Sequence, residues 1–152
     1  MVCVACGEEP EAMTDEPVSV SLEEVQAVLD DLDSALTQVT DAPVPSAQHG
    51  LADTLDVFVT DGAVSDYLTL VPNEPSDVVL PVGTFLVKRQ YDETGAVNSH
   101  TIMVKGRDVA DDVGDWQFFF AGEDGEVGPG SGGCISCHQL VPDADFVYGL
   151  VE

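Results

Sequence analysis

Thr84-Phe85-Leu86-Val87-Lys88-Arg89-Gln90, Ser99-His100-Thr101-Ile102-Met103-Val104-Lys105 and Asp115-Trp116-Gln117-Phe118-Phe119-Phe120-Ala121 are three short runs rich in β-branched and aromatic residues. Each has the length of a strand. Asp92-Glu93-Thr94-Gly95 between the first two supplies turn chemistry, so together they predict an antiparallel meander. Upstream, Leu55, Val57 and Val59 alternate with Asp56, Phe58 and Thr60 as a further strand. Ala63 to Leu70 reads as a short helix, followed by a Pro-broken connection from Pro72 to Pro81. Further back, Ser21 and Glu24 form a capping box, and Leu22, Val25, Leu29, Leu32 and Leu36 follow at helical spacing. One amphipathic helix over 22–39 is expected there, with a leucine-rich stripe that needs a partner surface. The fold class is therefore α+β, a predominantly antiparallel β-sheet with an N-terminal amphipathic helix.

Strand alternation also assigns faces. Leu86 and Lys88 fall on one side of their strand and Phe85 and Val87 on the other. Trp116, Phe118 and Phe120 share a face and read as core, as does Met103.

The chain has 152 residues, a size for one domain, with 29 Asp+Glu against 4 Lys+Arg and a net charge of −25. That sign makes nucleic acid and anionic membrane surfaces poor partner candidates. No apolar run reaches the roughly 18 residues of a membrane span. The four cations, Lys88, Arg89, Lys105 and Arg107, form a mid-chain island read as local charge partners for nearby carboxylates. Residues 1–20 are acidic, Pro-containing and without periodicity, so they read as a tether, and the domain is placed at 21–152.

Cys3-Val4-Ala5-Cys6 and Cys134-Ile135-Ser136-Cys137 share one spacing. Paired knuckles of this kind build a zinc site, and a single pair can act as a redox dithiol. A third chemistry also uses His138: C-x-x-C-H is the attachment signal of c-type haem, two thiols bonding the haem edge while the adjacent imidazole ligates iron. The two pairs sit in different settings, which weakens the zinc reading. Val4-Ala5-Cys6-Gly7 is similar to the end of a bacterial lipoprotein signal, with Cys6 as the lipidated residue, although Cys3 stands where an aliphatic residue is usual. No methionine follows His138, unlike the small electron carriers whose sixth ligand lies downstream, and the period-two segments do not suit a four-helix cytochrome.

From about His49 to Tyr148 the sequence resembles the cytochrome P-460 and cytochrome c′-beta family. The resemblance rests on His49-Gly50, Asp56-Val57-Phe58-Val59, Gly83-Thr84-Phe85-Leu86-Val87-Lys88 and Met103-Val104-Lys105. It continues through Gly114-Asp115-Trp116-Gln117-Phe118-Phe119 and through Cys134 to His138, followed by Asp145-Phe146-Val147-Tyr148. It implies a homodimer with one covalently bound c-type haem per chain, held by Cys134 and Cys137 with His138 on the iron. It also implies export to the bacterial periplasm or its lipid surface, with electrons exchanged with a redox partner protein.

The family has two branches. One binds nitric oxide at a five-coordinate haem with an apolar distal pocket. The other oxidises hydroxylamine and carries a lysine-to-haem cross-link, for which Lys88 stands at the matching position. Hydroxylamine oxidation needs a base, and the loop before the haem motif offers Glu123, Asp124 and Glu126, of which Glu126 is the candidate catalytic carboxylate. Leu51, Leu86, Phe58 and Phe85 are candidate apolar capping residues. His49 and His100 are expected to be satisfied locally by hydrogen bonds. The expected function is that of a mono-haem c-type cytochrome binding nitric oxide or another small nitrogen-oxide ligand, with hydroxylamine oxidation as the alternative.

Overall fold

Asp92 closes the first turn of the meander by accepting hydrogen bonds from the Thr94 and Ala96 backbone N–H groups and from the Thr94 hydroxyl, and Gly95 takes the left-handed conformation (φ 81°) that the turn requires. This turn joins the first two strands of the meander in a computed structural model that describes residues 16–46 and 52–150. The sheet contains β1 (Thr37–Gln38), β2 (Val44–Pro45), β3 (Thr54–Val59), β4 (Phe85–Tyr91), β5 (Val97–Lys105), β6 (Trp116–Ala121) and β7 (Val127–Pro129). All pairings are antiparallel, in the order β1-β3-β4-β5-β6-β7, with β2 sharing the outer side of β3 with β1. The prolines of β2 and β7 lie in the short outer strands, where a missing ladder donor costs least.

Helices α1 (Leu22–Asp30), α2 (Leu32–Ala35), α3 (Val64–Tyr67) and α4 (Gly132–His138) complete the domain, so the fold is α+β with a mostly antiparallel sheet. Ser21 and Glu24 cap α1 reciprocally, as the sequence predicts. The single helix expected over 22–39 does not form. It breaks at Asp31 (φ −119°, ψ 30°), resumes as α2, and by Leu36 the backbone is extended, so that Thr37 and Gln38 can pair with Val59 and Phe58. A sheet edge with unpaired backbone groups outcompetes the last turn of helix.

Both faces of the sheet are covered. On one side Val25, Leu32 and Leu36 pack on Phe58, Val87, Ile102, Val104 and Phe119. The leucine stripe is therefore used within the chain, and it no longer argues for a dimer. On the other side Leu55, Val57, Val59, Leu86, Met103 and Trp116 meet Ala63, Tyr67, Leu70, Leu80 and Val147. The aromatic stripe divides: Trp116 is buried, Phe118 is half-buried against this second core, and Phe120 is exposed.

Residues 16–20, read as the end of a tether, are bound to the domain. Val18 and Arg107 exchange both backbone hydrogen bonds, and the Val20 N–H donates to the Gln117 side chain. Cys3, Cys6, His49 and Leu51 lie outside the described residues. No helix among the described residues is long and apolar enough to cross a membrane.

Among the described residues, Arg89 pairs with the exposed Asp33 at 2.9 Å and Lys105 with the buried Asp145. Against a net charge of −25 these attractions are few. Raising salt to about 1 M, where the Debye length falls to about 3 Å, is expected to raise the melting temperature by relieving self-repulsion. A melting temperature that falls with salt would show that attractive pairs outweigh repulsion.

Candidate functional site

Cys134, Cys137 and His138 sit at i, i+3 and i+4 of α4, a spacing that places them on one helical face. All three line a cavity of about 810 Å³, a volume that includes its open mouth. Both thiols are free and half-buried. The cavity lies on the sheet face away from α1. Its floor comes from β3, β4, β5 and β6, where Val57 pairs with Lys88 and Lys88 with Thr101, and where Leu86, Met103 and Phe118 stand in one cross-strand row. Tyr67 of α3 and Val147 and Tyr148 beyond α4 supply the walls.

The His138 ring is held on several sides. Its Nδ1 lies 2.7 Å from the Phe146 carbonyl oxygen, which can only accept, so the proton is on Nδ1 and the Nε2 lone pair is left for a ligand. Phe118 tilts against it at 5.1 Å and Tyr148 meets it edge-on at 5.3 Å. The Tyr148 hydroxyl donates to the Cys137 carbonyl at 2.9 Å and so ties this wall to α4. Burial, only partly offset by the bond to Phe146, and the positive charge of Lys88 push the His138 pKa down to about 4, so the ring is neutral at physiological pH.

Lys88 points with Leu86 into the cavity, as strand alternation predicts. The apolar walls push its pKa down to about 8, opposed only by the Cys137 sulfur. The ion pairs between described residues leave Lys88 out. A half-buried amine with no carboxylate partner among the described residues, in a chain with 29 carboxylates, has a direct energetic consequence. Because the folded pKa lies below the unfolded value, the unfolded chain binds more protons between pH 8 and 10.5. Wild-type stability should therefore rise through that window. In the haem-free protein, Lys88→Met is expected to stabilise at pH 7 by up to about 3 kcal/mol, less whatever solvent screens at the cavity mouth, and the gain should vanish by pH 10.5. Urea unfolding of both proteins across this range measures it; a difference independent of pH would refute the assignment.

Tyr67 was not singled out from sequence, yet it is the other polar group of interest. It is 1% exposed, its hydroxyl has no hydrogen-bond partner among the described residues, and burial raises its pKa. Its place on the apolar face Ala63, Tyr67, Leu70 of the short helical stretch was the available signal. The other sequence candidates separate by face. Leu86, Met103 and Phe118 line the cavity, whereas Phe58 and Phe85 pack on the α1 side of the sheet. Phe58 and Phe85 are therefore not capping residues of this cavity. His100 is not among the residues lining the cavity, and its buried Nδ1, expected to be satisfied by a local hydrogen bond, has no hydrogen-bond partner among the described residues. Glu123, Asp124 and Glu126 are exposed in the turn entering β7, and the Glu126 N–H donates to the Asp124 side chain. None of the three is among the described residues lining the cavity, and neither is any other carboxylate.

Among the described residues no group of three or more His, Cys, Asp or Glu side chains is arranged to hold a bare metal ion. The donor set instead suits a large, mostly apolar occupant. Two thiols and one oriented imidazole lie on a single helical face, and two donors line the cavity with them, the Lys88 amine and the Tyr67 hydroxyl, the latter without a hydrogen-bond partner among the described residues. A scan against protein-family models and a search of curated proteins match nothing to this chain.

Proposed function

We propose that the cavity holds one c-type haem, attached through Cys134 and Cys137 with His138 on the iron, and that the protein is a mono-haem cytochrome binding nitric oxide or a related nitrogen-oxide ligand. The observation that carries this reading is the convergence of both thiols and a neutral, Nδ1-protonated imidazole on one apolar cavity. When bound, the haem supplies the iron that takes the ligand and changes redox state. The chain's own residues do the rest. Phe146 fixes the imidazole tautomer, Phe118 and Tyr148 hold the ring plane, and Leu86, Val57 and Val147 keep water out. At neutral pH Lys88 is mostly ammonium, so it is a hydrogen-bond donor and not an iron ligand, and Met103, although it lines the cavity, is buried in the sheet floor and packed with the core. These points favour a five-coordinate iron. The reading carries with it a periplasmic or membrane-surface location, a homodimer and a redox partner protein, all from the family resemblance.

A second reading is favoured by the position of Lys88. An amine outside the ion pairs of the described residues, with a pKa near 8, has a neutral fraction; a bond from it to the haem edge, as in the hydroxylamine-oxidising branch, would form with loss of two hydrogens to an external oxidant. The absence of a carboxylate among the described cavity residues weighs against it, because oxidation of hydroxylamine needs a proton acceptor.

Protein produced with haem-maturation machinery is expected to show an ordinary c-type absorption spectrum with five-coordinate iron, and an intact mass equal to chain plus haem. A mass lower by two hydrogens that reverts in Lys88→Met, with turnover of hydroxylamine, would favour the second reading. Haem extracted completely by acid and organic solvent would overturn both.

A further inference from the structure

Asp145 and Phe146 are consecutive residues in the left-handed region, at φ 50° and 59°. Such a conformation is unfavourable for any residue with a Cβ, and for a bulky side chain such as Phe it is a true outlier. It persists because it is held from several directions. The buried Asp145 carboxylate receives Lys105 Nζ on one oxygen and the Leu80 N–H at 2.9 Å on the other. The Asp145 carbonyl accepts the Trp116 indole N–H at 2.8 Å. The Phe146 ring lies over Gly114, where a Cβ would sit 2.7 Å from it. What this arrangement delivers is the Phe146 carbonyl, aimed at His138 Nδ1.

We infer that Lys105, Asp145 and Gly114 are positioning residues for His138. They lock the Asp145-Phe146 backbone so that its carbonyl holds the imidazole in the Nδ1-protonated tautomer and increases its donor strength toward a metal. The inference rests on the haem reading for its metal-side consequence, but not for the tautomer. A carbonyl that accepts strongly from Nδ1 makes the ring more imidazolate-like, which strengthens the iron–nitrogen bond and favours the oxidised iron.

Two variants perturb the lock from opposite sides. Asp145→Asn keeps the acceptor for Leu80 and a residue type that tolerates positive φ, but gives up the charge on Lys105. Gly114→Ala displaces the Phe146 ring. In haem-loaded protein both are expected to lower the iron–histidine stretching frequency in resonance Raman spectra and to shift the reduction potential upward. In the haem-free chain, side-chain ¹⁵N shifts should report Nδ1-protonated His138 in wild type and a tautomer mixture in both variants. Val25→Ala, on the far sheet face, controls for lost stability and should leave every one of these signals unchanged. Variants that lose stability as Val25→Ala does, yet keep the wild-type tautomer and stretching frequency, would overturn the inference. Failure of wild type to retain haem would remove the haem reading and leave the tautomer result to judge the lock.

Discussion

Haem-loaded Cys134→Ala/Cys137→Ala protein is expected to release all its haem in acid and detergent, whereas wild type retains all of it. The reason is bond type: thioethers survive denaturation, while an iron–imidazole bond and apolar contacts do not. Single variants should retain haem through one bond, and His138→Ala should keep both thioethers while losing the axial nitrogen. Haem staining of denaturing gels and intact mass give the answer directly. Covalent haem persisting in the double variant would place the link on another side chain, and Lys88 in the same cavity would be the first to examine.

The second large effect concerns the buried ion pair. Lys105 and Asp145 have side chains 8% and 5% exposed, and the Lys105 ammonium also lies over the Trp116 ring at 5.1 Å. Lys105→Met leaves a carboxylate in the interior with only the Leu80 N–H as compensation, a change that costs about 3–5 kcal/mol. For a domain of this size the melting temperature should fall on the order of 10 °C. Thermal unfolding followed by fluorescence of the single tryptophan measures it. Adding Asp145→Asn should recover part of the loss, because no unpaired charge then remains and the amide oxygen still accepts from Leu80. A loss below about 1 kcal/mol in Lys105→Met would mean that the pair is worth no more than a surface ion pair.

The sequence made the centre of the sheet legible and its margins illegible, for identifiable reasons. β3 to β6 are long enough for alternation to repeat, so their existence, their order in the meander and the shared face of Leu86 and Lys88 could all be read. β1, β2 and β7 span only two or three residues, too short for any period to register, and they exist because a neighbouring edge offers unpaired N–H and C=O groups. The same tertiary pairing cut short the helix expected over 22–39, where leucine spacing carried no hint of a break. For β6 the period was right, but because the sheet is covered on both sides, period alone did not say which face was buried. Phe119 is enclosed on the α1 side while Phe120 is exposed opposite the short β7. At the site, the C-x-x-C-H signature and the strand position of Lys88 were explicit in the chain. Tyr67, Phe118 and the Phe146 carbonyl were not, because they reach His138 or its cavity through long-range packing.

The confinement of all four basic residues to the sheet region also sets how the protein meets a protease. Trypsin can cut only after Lys88, Arg89, Lys105 or Arg107. Lys88 and Arg89 lie within β4, paired on both sides by β3 and β5, and Lys105 closes the β5–β6 ladder while Arg107 is held in its bridge to Val18. A protease must draw several residues of extended, unpaired backbone into its cleft; at Lys88, Arg89 and Lys105 that demands opening the central strands, whereas at Arg107, between β5 and β6, it demands release of the bridge to Val18. Tryptic cleavage at the first three sites is therefore tied to disruption of the sheet, and its rate under gentle digestion follows the population of opened molecules.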